Sequence, residues 1–191
     1  MHLGTTFILM RGYPGTGKST IARAIAAALR APLIDRDIIR QKAVDILGNL
    51  HEVGRFSYEL MFALTHEQLR LGLSVVVDTP LTYRITYDQS KELARAFSIP
   101  LLVVHCQCPP EVQKRRLEGR KGKVSEFQIT SWEEWEQWKP RFEDFDDDGC
   151  IIDTSNPLDD SLEKVMRTIH ELHKPYKQHP IEQEFSDQPR I

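Results

Sequence analysis

The chain has little of what marks secreted or membrane proteins. Its 191 residues include only 3 cysteines, too few for a closed disulfide framework, so we expect a reducing compartment. The first residues lack the basic region, apolar stretch and small-residue cleavage site of a signal peptide. Every apolar run is far too short to cross a bilayer. We therefore expect a cytoplasmic protein.

Neither positive nor negative charge is in large excess. The net charge of −3 argues against a surface built to bind nucleic acid or an anionic membrane. The charges are nevertheless unevenly spread, in a basic run of Lys114, Arg115, Arg116, Arg120, Lys121 and Lys123 and an acidic run of Glu143, Asp144, Asp146, Asp147 and Asp148. The acidic run is predicted to lie on solvated surface, which is one of two interpretations of the basic run.

No internal repeat and no linker divides the chain, and 40% hydrophobic with 28% charged residues is ordinary for a globular domain. We expect one domain over residues 1–173 and a polar tail over residues 174–191. Short apolar runs predict strands at residues 6–10, 33–35, 74–78, 101–107 and 150–153. Helical patterns alternate with them, which predicts an α/β fold with a five-stranded parallel sheet covered on both faces.

A phosphate-binding loop follows the first predicted strand. The pattern GxxxxGK[ST] is matched by Gly12-Tyr13-Pro14-Gly15-Thr16-Gly17-Lys18-Ser19, and Thr20 follows it. Its glycines let backbone N–H groups turn toward phosphates, its lysine reaches the β- and γ-phosphates, and its serine hydroxyl coordinates magnesium. The loop predicts binding of ATP and Mg²⁺ by Gly12, Pro14, Gly15, Thr16, Gly17, Lys18, Ser19 and Thr20.

The second predicted strand ends in the sequence Asp35-Arg36-Asp37, and Arg40 comes three residues after Asp37. A carboxylate beyond a strand end can accept the proton of an attacking hydroxyl, as in phosphoryl transfer. Arg40 is one helical turn away and can share a face with Asp37. The alternative is structural, with Asp37 capping the helix and Arg40 pairing with it.

Asp78 ends the predicted strand at residues 74–78, directly after three valines. Ligands gather at the carboxyl ends of parallel strands. The carboxylate can therefore contact magnesium, directly or through water. Its alternative role is that of a cap or turn former.

A helical lid is expected over residues 115–145. Arg116 and Arg120 are four apart at a helix end, so they can face one side and neutralise charge that develops during transfer. The alternative is a solvated basic helix end. Trp132, Trp135 and Trp138 recur at helical spacing in the same segment and either pack in the core or line the substrate pocket.

The phosphate loop, Asp35-x-Asp37-x-x-Arg40, Asp78-Thr79 and Arg116…Arg120 together resemble a group of small P-loop kinases, over residues 5–170. This group is the polynucleotide-kinase-like, zeta-toxin-like and chloramphenicol-phosphotransferase-like branch, an AAA-type P-loop ATPase domain. The resemblance implies a three-layer P-loop NTPase sandwich similar to nucleoside monophosphate kinases.

The same resemblance implies roles for individual residues. Asp37 would be the general base, Arg40 would position the acceptor, and Asp78 would lie at the acceptor or magnesium site. The loop that contains Asn156 would flank the adenine ring. Pro80-Leu81 departs from the polar asparagine that polynucleotide kinases tend to carry, which leaves the acceptor open.

These observations predict an ATP-dependent phosphotransferase that moves the γ-phosphate to a hydroxyl of a small molecule. A polynucleotide 5′-hydroxyl kinase is the first alternative, and the net charge makes nucleic acid the less favoured acceptor. The second is a nucleotide-binding switch in which Asp37 does no chemistry, since a phosphate loop alone does not separate a kinase from a switch.

Overall fold

The fold is a parallel sheet between two layers of helices. The computed structural model describes residues 4–48, 51–119, 129, 131–143 and 145–174. Within these ranges the parallel strands are β1 (Phe7–Arg11), β2 (Leu33–Asp35), β3 (Val75–Asp78), β4 (Leu101–Gln107) and β5 (Cys150–Asp153). They form one 5-stranded sheet in the order β2-β3-β1-β4-β5. The predicted α/β fold and its parallel sheet are confirmed.

The helices of the described chain are α1 (Lys18–Leu29), α2 (Arg36–Leu47), α3 (Val53–Arg70), α4 (Arg84–Ala96), α5 (Pro110–Glu118), α6 (Trp132–Trp138) and α7 (Leu158–Leu172). A short 3₁₀ turn, Lys139–Arg141, follows α6. The sequence pattern predicts that α3 starts at Phe56, whereas the structure starts it at Val53. The helix begins at Val53 because that side chain is buried and the Phe56 N–H donates to the Glu52 carbonyl (2.8 Å).

Successive residues of a strand point to opposite faces of the sheet, which divides the core into two layers. Ile8 and Met10 pack with α1 and α7, whereas Phe7 and Leu9 pack with α3 and α4. All four side chains are fully buried. Burial of such a side chain stabilises the fold by about 1.5–3 kcal/mol. The central strands are therefore held firmly, and so are the residues at their ends.

The strand order places an opening at the carboxyl edge of the sheet. β1 lies between β3 and β4, and the connections leaving neighbouring strands diverge there, as in other open α/β sheets. The register pairs Asp35 of β2 with Asp78 of β3. Two carboxylates thus lie on adjacent strand ends, next to the loop that follows β1.

No helix in the described ranges is long and apolar enough to cross a bilayer. The tail predicted over residues 174–191 lies, apart from Lys174, outside the described residues. Arg120, Lys121, Lys123 and Asp144 also lie outside them.

Candidate active site

The loop from Gly12 to Lys18 has a backbone that only glycine permits at key positions. Gly12 has φ 151°, and a Cβ there would lie 2.6 Å from the Cys106 carbonyl oxygen. Gly17 has φ 80°, and a Cβ there would lie 3.2 Å from Thr154 Oγ1. The Thr16 hydroxyl closes the turn by donating to the Tyr13 carbonyl (2.8 Å). A larger residue would therefore collide with the backbone at Gly12, and at Gly17 it would be strained by the positive φ.

The phosphate loop leads directly into the N-terminus of α1. Gly17 is the N-cap residue, no side chain caps the helix, and its first turn contains no acidic residue. The first N–H groups of a helix have no partner within the helix, and the helix dipole favours an anion there. This arrangement fits a phosphate group, as the sequence predicts.

Lys18, the first residue of α1, forms an ion pair with Asp78 at the end of β3. Both side chains are buried, 11% and 2% exposed. Burial by itself would lower the pKa of Lys18, but the charges of Asp78, Asp37 and Asp35 outweigh this effect and raise it. The ammonium therefore stays charged at neutral pH, in contact with the carboxylate of Asp78 and under the influence of the Asp35 charge on the neighbouring strand end.

Asp35 caps α2, since its carboxylate accepts from the N–H groups of Asp37 (3.0 Å) and Ile38 (3.2 Å). Burial raises its pKa, and the charge of Asp78 adds to this effect. The capping role considered for Asp37 thus belongs to Asp35.

Asp37 lies in the first turn of α2, where its carboxylate is 23% exposed and 3.8 Å from the Arg36 guanidinium. Its charge also acts on Lys18.

Three further residues that the sequence predicts for the site lie on the same two helices as Lys18 and Asp37. Arg40 is half-buried on α2, one turn after Asp37. Ser19 is half-buried and Thr20 is exposed in the first turn of α1. The structure therefore brings Lys18 together with carboxylates that the sequence marks as site residues.

Arg116 lies against the phosphate loop from the side of β5. Its guanidinium donates to Thr154 Oγ1 (2.8 Å) and to the Thr154 carbonyl (2.8 Å). The Thr154 hydroxyl in turn donates to the Thr16 carbonyl (2.6 Å). Arg116 thus connects α5 to the phosphate loop through the turn after β5. Asn156 lies exposed in that same turn.

Three aromatic side chains join the phosphate loop to α6 and the 3₁₀ turn after it. The Tyr13 ring lies 4.7 Å from that of Trp135 and 5.2 Å from that of Phe142. Trp135 is buried, whereas Trp132 and Trp138 are half-buried around it. Packing, the first of the two roles considered for the tryptophans, therefore applies to Trp135. The sequence does not mark Tyr13 as a site residue, because the motif accepts any residue at that position.

A small cleft opens beside this aromatic group, lined by Arg11, Gly12, Tyr13, Pro80, Leu81, His105, Phe142 and Glu143. Leu81 has φ 52° and is buried, a conformation that costs energy for a side chain other than glycine. Pro80 and Leu81, the departure noted in the sequence, are thus wall residues of a cleft next to the phosphate loop.

The acidic run is not wholly solvated surface. The Asp147 side chain is only 3% exposed and forms an ion pair with Arg11, whose guanidinium also donates to the Phe145 carbonyl (2.8 Å). The Glu143 carboxylate accepts from the Arg84 N–H (2.6 Å) at the start of α4. The surface prediction is therefore wrong for Asp147, because its charge neutralises the buried Arg11 across the sheet edge.

A family model described as an AAA domain matches residues 7–145, which include the phosphate loop, the carboxylates and the whole segment predicted as a lid. The chain belongs to this AAA domain family. A search of curated proteins found no match for it.

Solved structures share the fold of this AAA domain protein. A gluconokinase from Sinorhizobium meliloti 1021 has a TM-score of 0.63 and 21% identity, covering 90% of this chain and 95% of its own. A sugar kinase from Janibacter sp. HTCC2649 has a TM-score of 0.64 and 19% identity, covering 88% and 96%. The Mycobacterium tuberculosis APS kinase CysC, in complex with AMPPNP and APS, has a TM-score of 0.64 and 16% identity, covering 90% and 99%. The fold of small P-loop kinases is therefore confirmed for this AAA domain.

Proposed function

We propose that this AAA domain protein is an ATP-dependent phosphotransferase that moves the γ-phosphate to a hydroxyl of a small molecule, with Asp37 as general base. The observation that carries the proposal is the buried cluster of Lys18 with Asp78, Asp35 and Asp37 beside the phosphate loop. A phosphate loop that only held nucleotide would need the lysine, but not a partly exposed carboxylate close enough for its charge to act on that lysine.

Lys18 and Asp37 have separate roles in the proposed reaction. When the triphosphate enters, Lys18 exchanges part of its contact with Asp78 for the β- and γ-phosphates, which carry more charge. Asp37, which lies in the first turn of α2 and is 23% exposed, takes the proton of the acceptor hydroxyl. The acceptor oxygen then bonds to the γ-phosphorus, the bond to the β–γ bridging oxygen breaks, and ADP leaves.

The donor atoms at this site suit magnesium. Within the described ranges, no group of three or more His, Cys, Asp or Glu side chains is arranged to hold a metal ion. Magnesium at kinase sites is bound by one or two protein oxygens together with substrate phosphates. The Ser19 hydroxyl and the Asp78 carboxylate would hold it, and the ion would neutralise charge on the β- and γ-phosphates.

A small acceptor is supported by the cleft and by the relatives. Arg11 in the cleft is already paired with Asp147, so that guanidinium is not available to a nucleic-acid backbone, and the net charge is −3. The solved structures with the same fold are a gluconokinase, a sugar kinase and an APS kinase in complex with AMPPNP and APS. Each of these names or complexes refers to a small molecule.

The test offers γ-labelled ATP and Mg²⁺ with a panel of sugars, sugar acids, nucleosides, adenylyl sulfate and amino alcohols, followed by mass identification of the product. Oligonucleotides of DNA and RNA with 5′-hydroxyl ends are included at low and moderate salt. We expect label in a small phosphomonoester with wild-type protein and none with Lys18→Ala.

Three results would contradict the proposal in different ways. Efficient labelling of oligonucleotides that falls steeply with salt would indicate the polynucleotide kinase. Tight Mg·ATP binding with only slow release of inorganic phosphate would indicate a switch. Equal labelling by the wild-type protein and by Lys18→Ala would show that the phosphate loop takes no part in the reaction.

A further inference from the structure

Arg36 is an unusual residue for its position. It is the first residue of α2, where the helix dipole disfavours a cation, and its side chain is fully buried. Arginine is almost never fully buried unless it is paired. Helix stability would favour an acidic or neutral residue here, so the position calls for a reason beyond the helix itself.

Two described contacts hold the guanidinium in place. It lies over the Tyr58 ring of α3, 3.9 Å from the ring centroid, a cation–π arrangement that is strongest when desolvated. Its Nη1 lies 3.8 Å from Asp37 Oδ1. Both of these atoms are buried, although the Asp37 carboxylate as a whole is 23% exposed.

We infer that Arg36, clamped by Tyr58, is a positioning residue that fixes the orientation of the Asp37 carboxylate. One oxygen, Oδ1, lies against the buried guanidinium, and the proposed proton transfer uses the exposed part of the same carboxylate. Because Arg36 is fully buried, it acts through Asp37 and not by touching substrate. This inference rests on the proposed role of Asp37 as the base.

Misplacement of a catalytic group by about 1 Å can lower the rate about 10²-fold. We therefore expect Arg36→Met to lower kcat by about 10- to 100-fold, with the KM for ATP and the ATP affinity within about twofold of wild type, since Lys18 and the loop are unchanged. Arg36→Lys, which retains the charge but not the planar fork, should recover part of the loss.

The deciding measurement is a double-mutant cycle with Asp37→Asn. Turnover is read as ADP formed from Mg·ATP with the defined acceptor panel described above. If Arg36 acts through Asp37, Arg36→Met should lower kcat no further in the Asp37→Asn protein. Additive losses would overturn the inference, since a general structural role does not depend on Asp37.

A second pair of variants covers the case in which Arg36→Met does not fold. Tyr58→Leu removes the ring that clamps the guanidinium and should lower kcat in the same way, whereas Tyr58→Phe keeps the ring and should not. Arg55→Met, at an arginine of α3 whose side chain is 84% exposed, is the matched control. Equal kcat in Tyr58→Leu and Tyr58→Phe would overturn the inference.

The failure of this inference can be told from the failure of the proposed function. If Asp37→Asn turned over at the wild-type rate, the role of Asp37 as base and this inference would both fall, whereas the transfer of the γ-phosphate to a hydroxyl would stand. If Asp37→Asn lost turnover while folded Arg36→Met retained it, only the role of Arg36 would fall.

Discussion

Removal of the Lys18 charge should destabilise the nucleotide-free protein, and the size of the effect follows from the structure. Lys18→Met keeps most of the aliphatic stem and removes the ammonium that contacts Asp78. Loss of one partner of a buried ion pair costs about 3–5 kcal/mol. The Lys18 side chain is still 11% exposed, so we expect the lower end, about 3 kcal/mol.

For a chain of this size, 1 kcal/mol corresponds to about 2–4 °C in Tm, so the expected loss is about 6–12 °C. The pH dependence gives a second signature. Burial raises the pKa of Asp35, the charge of Asp78 adds to it, and Lys18 opposes it. A carboxyl with a raised pKa in the folded state destabilises the fold above that pKa, and the penalty disappears as the pH falls through it.

Without Lys18, its lowering effect on the pKa of Asp35 is lost. The ionised Asp35 carboxylate then destabilises the fold more than it does in the wild-type protein. The deficit of Lys18→Met should therefore be largest near neutral pH and should narrow as the pH falls toward the ordinary Asp value of about 3.9. The raised pKa of Lys18 itself adds no pH dependence in this window, since its contribution is lost only well above neutral pH.

The assay is thermal unfolding without nucleotide, followed by circular dichroism at pH 7 and at about pH 5. The wild-type protein is the reference at both pH values. Lys42→Met is the control, because Lys42 is 73% exposed and its pair with Asp45 is solvated. A Tm of Lys18→Met equal to that of Lys42→Met at pH 7, or a deficit that widens in acid, would refute the reasoning.

Three further predictions follow from the site. Asp37→Asn should bind Mg·ATP normally by calorimetry yet lose turnover about 10²-fold or more; normal turnover would make Asp35 or Asp78 the better candidate for the base. Arg116→Met should weaken ATP binding because Thr154 loses its anchor beside Thr16, whereas the exposed neighbour Arg115→Met should not; equal affinities would contradict this. Asp147→Asn should cost about 3 kcal/mol in urea unfolding by removing the ion-pair partner of Arg11, and the exposed Asp148→Asn is the control that should stay near wild type.

The sequence predicts well what depends on local pattern. The phosphate loop needs glycines at fixed spacing and a helix after a strand, and all of these are read directly from residues 7–29. The strand ends follow from apolar runs, so the position of Asp78 beside Lys18 could be expected once β3 was placed next to β1.

Long-range pairings could not be predicted in the same way. Arg11 and Asp147 are 136 residues apart in the chain, and nothing local distinguishes Asp147 from its solvated neighbours. Asp35 and Asp37 are chemically alike, and only the point at which β2 ends decides which of them caps α2. The contact of the buried Arg36 guanidinium with the Tyr58 ring depends on how α2 packs on α3. No periodicity in either helix indicates this packing.

The most direct test of the central claim follows the γ-phosphate itself. Phosphorus NMR of Mg·ATP with the protein and its acceptor panel should show a new phosphomonoester resonance that grows in equal amount with ADP, and neither should grow with Asp37→Asn. If ADP instead grew with inorganic phosphate alone, at the same rate with and without the panel and with Asp37→Asn, the account of a phosphotransferase would be contradicted.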